Sequence, residues 1–159
     1  PLQSAAQTVI GQRLGAKDLD GARTFFYHAR AWALRISAAT GLVAALLAWP
    51  LAYAFTLNAA VASAAAWPLA VHMATLPIKG WSMVSIAPIR ASGDTRFSLT
   101  IGVVTTLLVL PATYVCIRVL GIGLWGVPVS WVFAWSARAL LTAVKLRGES
   151  WTKRPLISV

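Results

Sequence analysis

Of the 159 residues, 58% are hydrophobic and only 11% are charged, against about 25% charged in an ordinary soluble domain. Mean hydropathy is +0.73 and net charge is +10, from 14 basic and 4 acidic side chains. Such a balance suits either a nucleic-acid binder or a membrane protein with basic loops; residues 36–67 carry no charge at all, which argues against nucleic acid and for lipid.

The chain opens PLQSAAQTVIGQ, without an initiator Met or a basic leader. It reads as the end of an apolar helix already under way, so residues 1–12 are expected to end a span and the whole to be the C-terminal part of a longer membrane protein. GAKDLDGARTFFYHAR comes next. Asp18 and Asp20 precede a helical pattern as capping and first-turn acids do. Arg23 and Arg30 are seven apart and share a face, with Phe25, Phe26 and Ala29 turned away. Residues 13–32 are thus predicted to be a cytoplasmic loop with a short interfacial helix.

Four runs then have the length of about 20 apolar residues that a bilayer requires: 33–57, 59–89, 97–120 and 124–146, with a tail after them, 147–159. The first connection, at Asn58, is uncharged. NAAVASAAAW, 58–67, supplies small side chains that let helices approach closely. The second run holds Pro68, Pro77 and Pro88, each of which removes a backbone donor and disturbs the preceding turn. Broken helices of this kind occur as kinked packing or as the lining of a transport site.

Lys79 lies about ten residues from the basic end of that run, roughly 15 Å at about 1.5 Å per residue. No acid shares its depth, since Asp18, Asp20, Asp94 and Glu149 all fall in loops. Three readings stay open: a cavity-facing pathway residue, an ion pair with an acid outside this chain, and snorkelling to the interface. His72 is two helical turns away on the same face and is either a packing residue or a titrating one. Trp81 is either a packing residue or a platform for a cationic ligand. In the last run, Arg138, Thr142 and Lys145 form a stripe, read as snorkelling or as a cavity wall.

Loop charge alternates. Arg13, Lys17, Arg23, Arg30 and Arg35 precede the first span; Arg90 and Arg96 separate the second and third; Lys145, Arg147, Lys153 and Arg154 come after the fourth. Between them lie the bare Asn58 turn and LGIGLWG, 120–126, with only Arg118 beside it. The positive-inside rule makes the basic side, and the C-terminus, cytoplasmic. Trp49, Tyr53 and Trp125 fit an outer aromatic belt and Trp32 and Trp151 an inner one, whereas Trp67 and Trp81 sit deeper. Cys116 is the single cysteine, so no internal disulfide is possible. No HExxH, CxxC or Walker loop is present, and no enzyme, metal site or cofactor is implied. The fold class is therefore an all-α, polytopic helix bundle: about four full spans plus the end of a preceding one.

GQRLGAKDLDGAR, IRASGDTRFS, LGIGLWGVPVSW and RGESW, in this order, resemble the C-terminal lobe of multidrug and toxic compound extrusion (MATE) transporters. The matched positions are Gly11, Gln12, Leu14, Gly15 and Ala16, then Arg90, Gly93, Asp94, Thr95 and Arg96, then Gly123 and Gly126. The resemblance implies a twelve-helix, two-lobe protein of the bacterial cytoplasmic (inner) membrane. It would export small organic cations in exchange for H+ or Na+, with the N-terminal lobe and the lipid bilayer as partners and no nucleic acid. The substrate-pathway candidates are Lys79, His72, Trp81 and Pro77. Two departures stand out. Some relatives carry an Asp eleven residues before the Arg of this turn, and here that position is Lys79. The setting of Pro77, Lys79 and Met83 resembles another branch, and any coupling acid is expected outside this chain. Ser98 stands where the family often has Pro. A lipid or lipid-linked oligosaccharide flippase of the same superfamily, and a non-transporting scaffold subunit, are the alternatives. From its residues alone, Gly93 permits a tight turn, and Asp94 and Thr95 are candidate caps.

Overall fold

The computed structural model describes residues 2–148 and 150–153, and among them every regular element is helical. Helix α1 is Leu2–Gly15, α2 Leu19–Leu46, α3 Ala48–Thr56, α4 Ala59–Ala74, α5 Leu76–Ser85, α6 Ala87–Ala91, α7 Thr95–Tyr114, α8 Gly126–Arg147 and α9 Ser150–Lys153. Glu149 of the RGESW motif, Arg154 and the rest of the tail lie outside the described residues.

Three stretches are long and apolar enough to cross a membrane unbroken: Ala59–Ala91, Thr95–Val119 and Gly123–Arg147. A fourth crossing is available if α2 and α3, bent by 60° at their junction, act as one broken span. The protein is thus an all-α integral membrane bundle. Many of its large apolar side chains face outward, as a lipid solvent requires.

Caps and prolines set the helix ends. Asp18 Oδ1 accepts from Gly21 N at 2.9 Å and starts α2, as its position suggested. The expected division into a short interfacial helix and a separate span does not occur. With no Pro between 19 and 46 to interrupt it, α2 runs on to Leu46 and the break falls at Leu47, ahead of Pro50. The left-handed residue of the first turn is Lys17, at φ 60°, and not Gly15. Asn58 Oδ1 caps α4 by accepting from the Ala60 and Val61 amides. Pro77 and Pro88 lie in the first turns of α5 and α6, so the second span is three helices meeting at Thr75 and Ile86; Pro68 is tolerated inside α4. Thr75 Oγ1 donates to the His72 carbonyl at 2.7 Å, satisfying one group at the break.

The expected motif turn is ordered by several bonds. Gly93 takes φ +80°. Asp94, not the exposed Thr95, caps α7, accepting from Phe97 N at 3.2 Å. Its Oδ2 also meets Lys145 Nζ at 3.3 Å, tying the start of α7 to the end of α8. Arg90 Nε donates to Ser98 Oγ across the turn, a bond that a proline at 98 would not make. Arg96 points outward.

The core lies at the basic-loop end. Ala6, Ile10 and Leu14 of α1 pack with Ala22, Phe26 and Ala33 of α2, with Val84 and with Ala87. Trp151 belongs to this core, edge-on to Phe26 at 6.1 Å, rather than to the inner belt. Phe26 and Arg30 do not face apart: the Arg30 guanidinium lies over the Phe26, Tyr27 and Trp81 rings at 5.3, 5.2 and 5.3 Å. At the opposite end Trp49 stacks on Tyr53 and reaches Ser63 Oγ at 3.4 Å, joining α3 to α4. Beyond Pro111, α7 winds into a π turn, Val115–Val119.

Helix α2 packs on α4 and α5, and two glycines set the distance. A Cβ on Gly41 would lie 2.7 Å from the Met73 carbonyl oxygen, the acceptor that Pro77 leaves without its helical amide. A Cβ on Gly80 would lie 2.8 Å from Ser37 Cβ. Gly102, in contrast, has nothing within 4 Å of that position. Gly41→Ala and Gly80→Ala are expected to destabilise the chain in detergent by about 1–3 kcal/mol through overpacking. Gly102→Ala is expected to be neutral or to stabilise by about 0.5–1 kcal/mol. Thermal unfolding monitored by far-UV circular dichroism checks the ranking.

Candidate functional site

The site is built on α4, α5 and α8. His72 and Lys79 are i and i+7 across the Thr75 break; Trp131, Trp135 and Arg138 are i, i+4 and i+7 on α8, so each set forms one face. Because α5 and α8 pack together, the two faces meet. Lys79 Nζ lies over the Trp131 ring at 5.2 Å and over the Trp135 ring at 5.4 Å. His72 meets Trp131 edge-on at 5.2 Å. The Arg138 guanidinium lies over Trp135 at 5.1 Å. The two indoles are near-parallel, 6.2 Å apart at 21°. From the basic-loop end to the bare-loop end the order is therefore Arg138, Trp135, Lys79, Trp131, His72: basic side chains and indole rings alternating along one seam.

A lysine at mid-bilayer costs about 2.5–3.5 kcal/mol on insertion scales, and each ring face returns about 0.5–2 kcal/mol when desolvated. Two indole faces thus offset much of the cost without a carboxylate. Among the described residues Lys79 meets no acid; the ion pairs lie elsewhere, as Arg13–Asp18, Arg23–Asp20 and Lys145–Asp94. His72 Nδ1 and Arg138 Nε are buried and have no hydrogen-bond partner.

Lys79 also borders a cavity of about 600 Å³ on the side of α1 and α2, lined by Gln3, Ile36, Ser37, Thr40, Gly80 and Met83 among others. His72 borders a smaller one, about 230 Å³, between Pro68 and Pro128 toward the bare-loop end. Among the described residues no group of His, Cys, Asp and Glu is placed to hold a metal ion.

The structure brings Lys79 and His72 together on Trp131, with Pro77 starting the helix that carries Lys79. Trp81 is turned to α2 and covered by Arg30, so it belongs to another cluster. The polar stripe of the last span divides: Arg138 enters the seam, Thr142 donates to the Arg138 carbonyl at 2.8 Å, and Lys145 leaves for Asp94. Trp131 and Trp135 were missed by sequence reasoning. Their i, i+4 spacing, continued by Arg138, matches the i, i+7 spacing of His72 and Lys79, and that was the available signal. Gly15, Arg90, Gly93, Asp94, Thr95 and Arg96 lie in or beside the turns at the basic-loop end, and none of them touches the seam's indoles.

A double-mutant cycle on Lys79→Met and Trp135→Leu, read from unfolding in detergent, is expected to give a coupling energy of about 0.5–2 kcal/mol. The cycle of Lys79→Met with Trp81→Leu is expected to give none.

The family model MatE matches residues 2–115. That stretch includes Lys79 and ends before the α8 indoles. The Uncharacterized transporter YisQ of Bacillus subtilis (strain 168) is 25% identical over 154 residues, 96% of this chain and 34% of that protein. The chain spans about a third of the length of this curated relative. No solved structure matches the chain.

Proposed function

We propose that this chain, which belongs to the MatE family, forms part of a secondary active antiporter that exports organic compounds in exchange for H+ or Na+. The observation that carries the reading is the Lys79 seam: a lysine at mid-span, held by two indoles, at the edge of a cavity of about 600 Å³. That size is within the range of about 300–1,000 Å³ of small-molecule sites. An ionisable group at this depth marks a transport pathway more often than a packing position. The proline breaks at Thr75 and Ile86 put the same segment on hinges, as in the discontinuous helices of transporters.

Coupling carboxylates would come from outside this chain, because the three unbroken spans contain no Asp or Glu. A cationic cargo, the expectation from the resemblance, would meet His72, Lys79 and Arg138, and acids from outside the chain would have to hold it. The arrangement of basic loops supports a cytoplasmic C-terminus; the bacterial cytoplasmic membrane is what the family resemblance implies.

Carried in a complete transporter, Lys79→Ala is expected to lower gradient-driven efflux about tenfold or more, the loss of one charged contact, at equal protein level in the membrane. Everted vesicles with an imposed ion gradient measure this. Unchanged efflux would remove Lys79 from the pathway.

A further inference from the structure

We infer that the seam between α4/α5 and α8 selects a negatively charged compound: a carboxylate or phosphate on a flat apolar body, anchored by Lys79 and stacked on Trp131 and Trp135. This rests on the transport reading and adds the charge of the cargo. The chain treats its cations in two ways. At the ends of helices it supplies acids: Asp18 for Arg13, Asp20 for Arg23, Asp94 for Lys145. In the seam, among the described residues, it supplies none. Lys79 and Arg138 rest on ring faces, and His72 Nδ1 and Arg138 Nε are buried without a hydrogen-bond partner.

Ring faces hold a cation more weakly than a charged oxygen does. An ammonium parked on indoles is therefore available to an incoming anion, whereas one paired with a carboxylate would be quenched. Arg138 and His72 flank Lys79 on either side, so a negative group has a basic neighbour in both directions along the membrane normal. A cation entering the same seam would meet like charge at low dielectric, where repulsion is poorly screened. When an anion draws Lys79 away, the faces of Trp131 and Trp135 are freed for the apolar body.

The test is equilibrium binding of radiolabelled 2-naphthoate and of its cationic analogue, 2-naphthyltrimethylammonium, to the full chain in zwitterionic nanodiscs. The naphthoate is expected to bind about tenfold or more tightly than the cation, the difference one charged contact makes. Lys79→Gln is expected to erase that preference and Lys79→Arg to keep it. Size-exclusion profile and helix content confirm assembly, and Arg138→Gln, expected to weaken naphthoate in the same sense, serves if Lys79→Gln does not assemble. Equal or tighter binding of the cation overturns the inference, as does wild-type naphthoate binding by Lys79→Gln and Arg138→Gln. Adding phosphatidylglycerol to the discs separates the sources of the anion. Competition with naphthoate assigns the site to a lipid phosphate, and no competition assigns it to a free carboxylate; either supports a site for a negative group. Charge-selective binding without transport in the complete protein overturns the transport reading alone. Transport without charge preference overturns this inference alone.

Discussion

A lysine in the hydrocarbon zone has to be solvated by something, and this chain has no acid at that depth to do it. The solution is aromatic: Lys79 lies over the rings of both Trp131 and Trp135. That contact requires α5 and α8 to be neighbours in a fixed register. It requires α5 in turn to be held from behind by α2, where Gly80 and Gly41 let the backbones approach. In lipid, apolar contact between helices carries little of the driving force it has in water, so close packing and polar contacts decide which helices meet. The seam uses both, small residues on one side of α5 and cation–ring pairs on the other.

The prolines explain why the seam sits where it does. Pro77 ends the reach of α4 at Thr75, and the break separates His72 from Lys79 while leaving them on one face. Pro88 repeats the device one helix later, before the motif turn. The second span is consequently a chain of short rigid rods. Its hinge carbonyls are met by the Thr75 hydroxyl and lie against the glycine face of α2. The motif residues hold the far end: Gly93 turns the chain, Asp94 caps α7 and grips Lys145, and Arg90 bonds Ser98. These contacts anchor the last two spans to each other at the basic-loop end, and so keep Trp131 and Trp135 at the height of Lys79.

Charge is thus divided by depth. Basic residues near helix ends are neutralised by the few acids or lie outward, where headgroups and water screen them. Basic residues within the bundle are matched to rings. Arg30 obeys the same rule on the other face of α5, covering Trp81 together with Phe26 and Tyr27. A tryptophan that looks available to a ligand along the chain is therefore already committed, whereas two tryptophans in the last span carry the site.

The sequence by itself determined the helical membrane class, the alternation of basic and bare loops, the caps at Asp18 and Asp94 and the family. Each of these depends on composition or on neighbours a few residues apart along one helix. It also placed His72 and Lys79 on one face, because the helical period does that without help. It did not show α2 running past the expected interfacial boundary at 32, since only the absence of a breaker before Pro50 decides that. Nor did it show the partner of Lys79. Periodicity tells which residues share a face, and never which other helix that face meets. With all of α7 lying between α5 and α8 in the chain, only their tertiary packing could set two indoles over one ammonium.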